Sequence, residues 1–242
     1  MTANCGDCAA VLCRAGVAVP LSTAHVCAPG SSEAARVLAA GGWITSEMDL
    51  CVGRLHAMDL EDPEISGVAH ERVRLNEIHR VCGEVAVTRA IGDVDFKGWS
   101  KLNESLADDG DDGARAASSI ADCVSSSYSS SSKGLLRPPV AGIREPPCFA
   151  YPEGHCRRFT RDLLVATPEI VSRDLDHLDE FCILASDGLW DVIDPHEAVL
   201  VAAKFLDSQL DPKAVADRLV DRALKLGSGD NITVLVIQLK LP

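Results

Sequence analysis

The chain has 242 residues, a formal net charge of −13, 47% hydrophobic residues and only 4% aromatics. That length suits one large domain, or one domain with an unstructured insert, and it buries a core that needs no disulfide staples. The acidity repels phosphate backbones and so excludes nucleic acid as the expected partner, and apolar runs such as Phe181–Ala185 and Ile232–Ile237 fall far short of the roughly 20 residues of a membrane span.

Residues 1–102 form the first structured stretch. Met1-Thr2-Ala3-Asn4-Cys5 has neither the basic nor the apolar segment of a secretory leader, so an intracellular protein of the cytoplasm or nucleus is expected. The ten cysteines are dispersed, as befits small buried thiols in a reducing compartment. Cys5-Gly6-Asp7-Cys8 is a C-x-x-C pair open to zinc or redox chemistry, but no second pair follows at zinc-finger spacing. A hairpin is expected next, Ala9–Cys13 and Val17–Leu21 about the turn Arg14-Ala15-Gly16. Ser32–Ala40 then reads as a helix capped by Ser32, with Ala35, Leu38 and Ala39 at helical spacing and Gly41-Gly42 as its stop. After a variable loop, Val81–Val87 reads as a short strand pair turning at Gly83.

Residues 103–158 differ in composition. An acidic glycine run at 108–113, a serine tract at Ser125–Ser132 and paired prolines bury too little apolar surface to offset ordering entropy. A disordered insertion is expected. The acidic run fails as a calcium loop because Gly110 falls on a ligand position and Ser119 stands where the bidentate glutamate belongs.

Residues 159–242 form the second structured stretch. Leu163–Ala166 reads as a short strand ended by Thr167-Pro168, and Phe181–Ala185 as a fully apolar strand. Asp211-Pro212 opens a helix whose stripe is Val215, Ala216, Leu219, Val220, Ala223 and Leu224, with Gly227 at its end. Ile232–Leu239 is the last strand expected. Strands and helices without regular alternation point to an α+β fold.

Aspartates stand at the mouths of these strands. Asp187 follows Phe181–Ala185, Asp230 precedes Ile232–Leu239 and Asp7 precedes Ala9–Cys13. Asp191, four residues after Asp187, shares its face on a helical turn. If the strands are antiparallel neighbours, the carboxylates meet at one edge, where they repel each other unless a cation lies between them. Mg²⁺ or Mn²⁺ suits such oxygen donors, although an Asp before Gly or Asn is by itself commonly a turn or cap residue. Trp190 is read as core packing rather than chemistry.

Several segments resemble, in order, the metal-dependent protein phosphatases of type 2C. Asn4-Cys5-Gly6-Asp7-Cys8-Ala9-Ala10-Val11-Leu12 is similar to N-x-G-D-S-R-A-V-L, and Ala39–Gly42 to the A-G-G turn. Val85–Asp93 is similar to L-A-V-S-R-A-x-G-D, and Ala166–Glu169 to the family's P-E-I stretch. Phe181–Val192 resembles F-L-I-L-A-S-D-G-L-W-D-V, and Gly227–Val234 resembles G-S-x-D-N-I-T-V.

The resemblance implies two antiparallel sheets sandwiched between helices, and hydrolysis of phosphoserine and phosphothreonine by a two-metal-activated water. Asp187 and Asp230 would be ligands of a two-metal Mg²⁺ or Mn²⁺ centre. Asp7 and Asp191, with Asp187, would hold a weaker third ion. Phosphoprotein substrates, a monomer and no covalent phosphoenzyme are expected, and Asp93 is given a structural role. The chain departs from the family at Cys8 and Ala9, where serine and arginine are usual, and at Ala24-His25, where D-H is usual; His25 is therefore read as structural or surface, not catalytic. No D-G-H-G-G segment, upstream acid or phosphate-binding arginine is matched. A fragment of a longer phosphatase domain is expected, and a catalytically inactive phosphatase-like binding or regulatory module is the alternative.

Overall fold

The computed structural model describes residues 1–50, 56–72, 75–98, 149–155, 159–208 and 211–239. The chain divides into two compact units, one of residues 1–26, 46–78 and 166–242, the other of residues 27–45 and 79–165.

The first unit is built on a four-stranded sheet. Strands β1 (Thr2–Asn4), β2 (Ala9–Arg14) and β3 (Val17–Pro20) open the chain. The expected hairpin is present, and its turn places Ala15 and Gly16 at positive φ. Helix α1 (Ser32–Ala39), strand β4 (Ile44–Leu50), helix α2 (Pro63–Arg72) and strand β5 (Leu75–Val81) follow. Beyond them come β6 (Glu169–Val171), β7 (Asp179–Ala185), the single turn α3 (Asp187–Trp190), α4 (Pro195–Asp207), α5 (Pro212–Lys225) and β8 (Val234–Gln238). The large sheet has the order β3-β2-β7-β8, while β1 pairs with β6 and β4 with β5. Antiparallel sheets with flanking helices bear out the α+β class.

Period-two alternation decides which face of the sheet is covered. Val11 and Cys13 of β2, Phe181, Ile183 and Ala185 of β7, and Val236 of β8 enter one core. Against them pack Leu189, Val192 and Ile193, then Ala198, Val199 and Ala202 of α4 and Val215, Ala216, Leu219 and Ala223 of α5. Helix α5 starts as its sequence predicts, with Asp211 as cap and Pro212 at the first position, but Leu224 lies outside the buried stripe at 52% exposure. Helix α4 starts the same way: Asp194 accepts from the His196 amide, and Pro195 follows it. The ion pairs Arg222–Glu197 (2.7 Å) and Lys225–Asp62 (2.9 Å) tie α5 to its surroundings. No helix of the described residues is long and apolar enough to cross a membrane.

Three expectations need correction. The cap of α1 is Ser31, whose Oγ accepts from the Ala34 amide at 3.1 Å. The buried face of that helix is Ala34 and Val37, and Leu38 points out at 54% exposure. Leu163–Ala166 is not a strand: Leu163 and Leu164 are buried in irregular backbone, and only Val165 bridges, to Arg89. The apolar pair there serves burial, and regular pairing begins after Thr167-Pro168 with β6. Around Gly83, Val81 bridges Val85, while Val81 also ends the longer strand β5, which lay within the expected loop.

The second unit has its own core of Cys27, Val37, Val81, Phe96, Phe159, Leu163 and Leu164. Phe149 and Tyr151 pack on it and contact Trp43, with ring centroids 6.1 and 5.1 Å apart. Residues 149–155 of the expected insertion are therefore ordered against this core. Residues 103–148 and 156–158, with the acidic run and the serine tract, lie outside the described residues.

Candidate metal centre

Strand β7 is the middle of the arrangement, with β2 on one side and β8 on the other. Its last residue, Ala185, pairs with Ala9, the first residue of β2, and with Val234, the first residue of β8. Both pairings are antiparallel. The exit of one strand therefore lies between the entrances of two others. Asp187 leaves that exit by two residues, Asp7 approaches β2 by two, and Asp230 approaches β8 by four. Three sequence-remote carboxylates thus arrive at one end of the sheet.

Local contacts hold each approach in place. Asp187 starts α3, and its Oδ1 accepts from the Gly188 amide at 2.9 Å. Asp191 caps the far end of that turn, where its amide donates to the Asp187 carbonyl at 2.8 Å. The Asp230 loop is clamped to the β7 exit by two serines. Ser186 Oγ donates to the Asn231 carbonyl (3.0 Å) and accepts from the Thr233 amide (3.1 Å). Ser228 Oγ donates to the Gly188 carbonyl at 2.6 Å. Gly188 is buried, and a Cβ there would overlap the Asn231 backbone carbonyl. The glycine after Asp187 thus permits close approach of the Asp230 loop instead of making a turn.

On the other side, Gly6 takes a φ of 122°, which favours glycine, and precedes Asp7. His25 is 3% exposed and folds over this corner. Its backbone amide donates to the Gly6 carbonyl at 2.9 Å, and its ring Nδ1 lies 3.3 Å from the Gly6 amide. This burial overturns the surface half of the sequence reading, and the two bonds fix the Gly6 corner.

The electrostatics report the convergence. Burial, followed by the charges of Asp7 and Asp230 and a smaller push from Asp191, raises the Asp187 carboxyl above its ordinary value. Burial, then Asp7 and Asp187, likewise raises the Cys8 thiol. This acidic setting disfavours the thiolate that zinc or redox chemistry needs at Cys8.

The donor set matches a hard divalent cation, since all four groups are carboxylates and mutual repulsion favours a cation between them. Among the described residues, no three His, Cys, Asp or Glu side chains form a group that encloses a metal ion unaided. Mg²⁺ commonly takes only one or two carboxylates and completes its shell with water and other oxygens, so the donors present fit part of such a shell.

The sequence model of protein phosphatase 2C matches residues 1–232. The chain belongs to the protein phosphatase 2C family. Among curated relatives, "Probable protein phosphatase 2C 47" of Oryza sativa subsp. japonica is 28% identical over 237 residues, which are 98% of this chain and 38% of that protein. "Probable protein phosphatase 2C 76" of Arabidopsis thaliana is 42% identical over 83 residues, 34% of this chain and 19% of the relative. The chain spans well under two thirds of either protein. A crystal structure of a phosphatase from Toxoplasma gondii shares the fold, with a TM-score of 0.53 at 19% identity, covering 99% of this chain and 49% of that one.

Two features of this phosphatase 2C chain escape a residue-by-residue reading. Trp190 does more than pack: its Nε1–H donates to the Ala185 carbonyl (3.0 Å) and the Ala9 carbonyl (3.2 Å). Ser186 and Ser228 act as clamps, although serines beside Asp and Gly read as ordinary turn residues. Asp93 belongs to the second unit, where it adopts a left-handed conformation (φ 54°) ahead of the short 3₁₀ turn Val94–Phe96.

Proposed function

We propose that this chain carries part of the metal centre of a Mg²⁺- or Mn²⁺-dependent protein serine/threonine phosphatase, acting on phosphoserine and phosphothreonine in proteins. One observation carries the reading: the register of β2, β7 and β8 brings the approaches of Asp7, Asp187 and Asp230 to one end of one sheet. Asp187, at the centre, would be the ligand shared most widely. Asp230 would complete its pair, and Asp7 and Asp191 would hold a further, weaker ion with it.

A bound pair of divalent ions would supply charge neutralisation at the phosphoryl oxygens and would lower the pKa of a water enough that it gives up a proton and becomes a nucleophile for phosphorus at neutral pH. The chain's own residues hold the oxygen donors. Ser186 and Ser228 keep the Asp230 loop against the β7 exit, and Gly188 lets it approach. His25 and Gly6 shape the corner before Asp7. None of the described thiols is needed as a nucleophile.

The test is Mn²⁺ calorimetry paired with phosphate release from a phosphothreonine peptide. Mn²⁺ uptake that disappears in Asp187→Asn, with turnover only in the presence of divalent metal, is expected. Turnover that persists in excess chelator overturns the reading. The second reading, a catalytically inactive binding or regulatory module, is favoured by the lack of a closed three-ligand group among the described residues. It predicts neither Mn²⁺ uptake nor turnover.

A further inference from the structure

Trp190 ends the turn that Asp187 begins, and its partly buried ring packs on the main core. Any large apolar side chain fills such a space. The indole adds a single N–H, and here that N–H is shared by the Ala185 carbonyl at 3.0 Å and the Ala9 carbonyl at 3.2 Å. Ala9 and Ala185 face each other on the last rung of the β2–β7 ladder. Beyond that rung no further strand pairing holds the two chains together, and two residues on stand Asp7 and Asp187. A rigid ring thus bonds both strand ends at the place where they diverge toward their carboxylates. The Asp230 side is fastened separately, through Ser186 and Ser228.

We propose that Trp190 is a positioning residue: its indole N–H fixes the strand end leading from Asp7 against the strand end leading to Asp187, and so sets the affinity for an ion those two carboxylates share. The metal half of this inference rests on the function proposed above; the positioning half does not.

The experiment compares the full chain with Trp190→Phe, which keeps an aromatic ring and deletes the donor. Backbone hydrogen exchange should accelerate in segments 5–12 and 183–190 and stay unchanged in 234–238. Unchanged exchange in 5–12 overturns the proposal. Mn²⁺ affinity by calorimetry should fall about tenfold or more, as is usual when a group that orients a ligand is lost. In a double-mutant cycle, Trp190→Phe should add nothing to Asp7→Asn but should add its full effect to Asp230→Asn. The opposite pattern overturns the proposal. A wild-type chain that takes up no Mn²⁺ fails the metal reading instead, and the exchange result still decides the positioning. If Trp190→Phe does not fold, the wild-type indole N–H decides: slow exchange by NMR is expected, and exchange at the rate of a solvent-exposed indole overturns the proposal.

Discussion

Asp187 is where the local forces meet. It leaves a buried strand, starts a helical turn and lies half-buried within reach of three other carboxylates' charge. In the absence of metal its negative charge is a liability, so Asp187→Asn should leave metal-free stability unchanged or raise it while abolishing stabilisation by Mn²⁺. Thermal unfolding of both proteins with and without Mn²⁺ checks this. For the wild type, Mn²⁺ at a hundred times its dissociation constant should add about 2.7 kcal/mol. The neighbouring Gly188 is constrained by space rather than by backbone conformation. Gly188→Ala should cost roughly 1–3 kcal/mol, because the Asn231 carbonyl must retreat, and should weaken Mn²⁺ binding through the displaced Asp230 loop. Denaturant midpoints and calorimetry measure the two effects separately.

Among elements, those with strong local signals formed where the sequence placed them. The β2–β3 hairpin and α5 were legible because a Gly turn, an Asp-Pro start and clear periodicity act over a few residues. Helix α4 has the same Asp-Pro start, and Asp194→Ala should cost about 1 kcal/mol by removing the bond to the His196 amide. A shift in the unfolding midpoint would show it. The errors came where two local signals competed. In α1 the cap is Ser31, one residue before the expected Ser32, and the expected stripe of Ala35, Leu38 and Ala39 is exposed while Ala34 and Val37 are buried. Leu163 and Leu164 looked like strand residues, but their burial is met in irregular backbone of the second unit. Strands β1 and β6 are three residues each, too short for any periodicity, and exist through their mutual pairing.

At the scale of the whole molecule, two units of different character share the chain. The second unit is held partly by a charge cluster. Burial by itself raises the Glu33 carboxyl, but hydrogen bonds from Arg89, Thr88 and Arg36 outweigh it and bring the value from 4.5 to about 2. The ionised form is thus favoured by folding. Its contribution is complete above the unfolded value near 4.5 and is lost as pH falls toward about 2. At about 1.4 kcal/mol per unit the fall from 4.5 to about 2 corresponds to roughly 3.5 kcal/mol, and solvent screening of this partly exposed group reduces the contribution to on the order of 2 kcal/mol. Unfolding curves of wild type and Glu33→Gln should differ by that amount near neutrality and converge near pH 2.

The sequence alone determined the aspartates, their order along the chain and the apolar strands beside them. Hydrophobic alternation and turn chemistry are short-range, so they can be read from neighbouring letters. Which strand lies beside which, and in what register, is a long-range matter. Only the pairing of Ala185 with both Ala9 and Val234 brought the approaches of Asp7, Asp187 and Asp230, separate turn residues in the sequence, to one end of the sheet. The same pairing gave the Trp190 indole two carbonyls to hold, because strand ends become adjacent only once the sheet has formed.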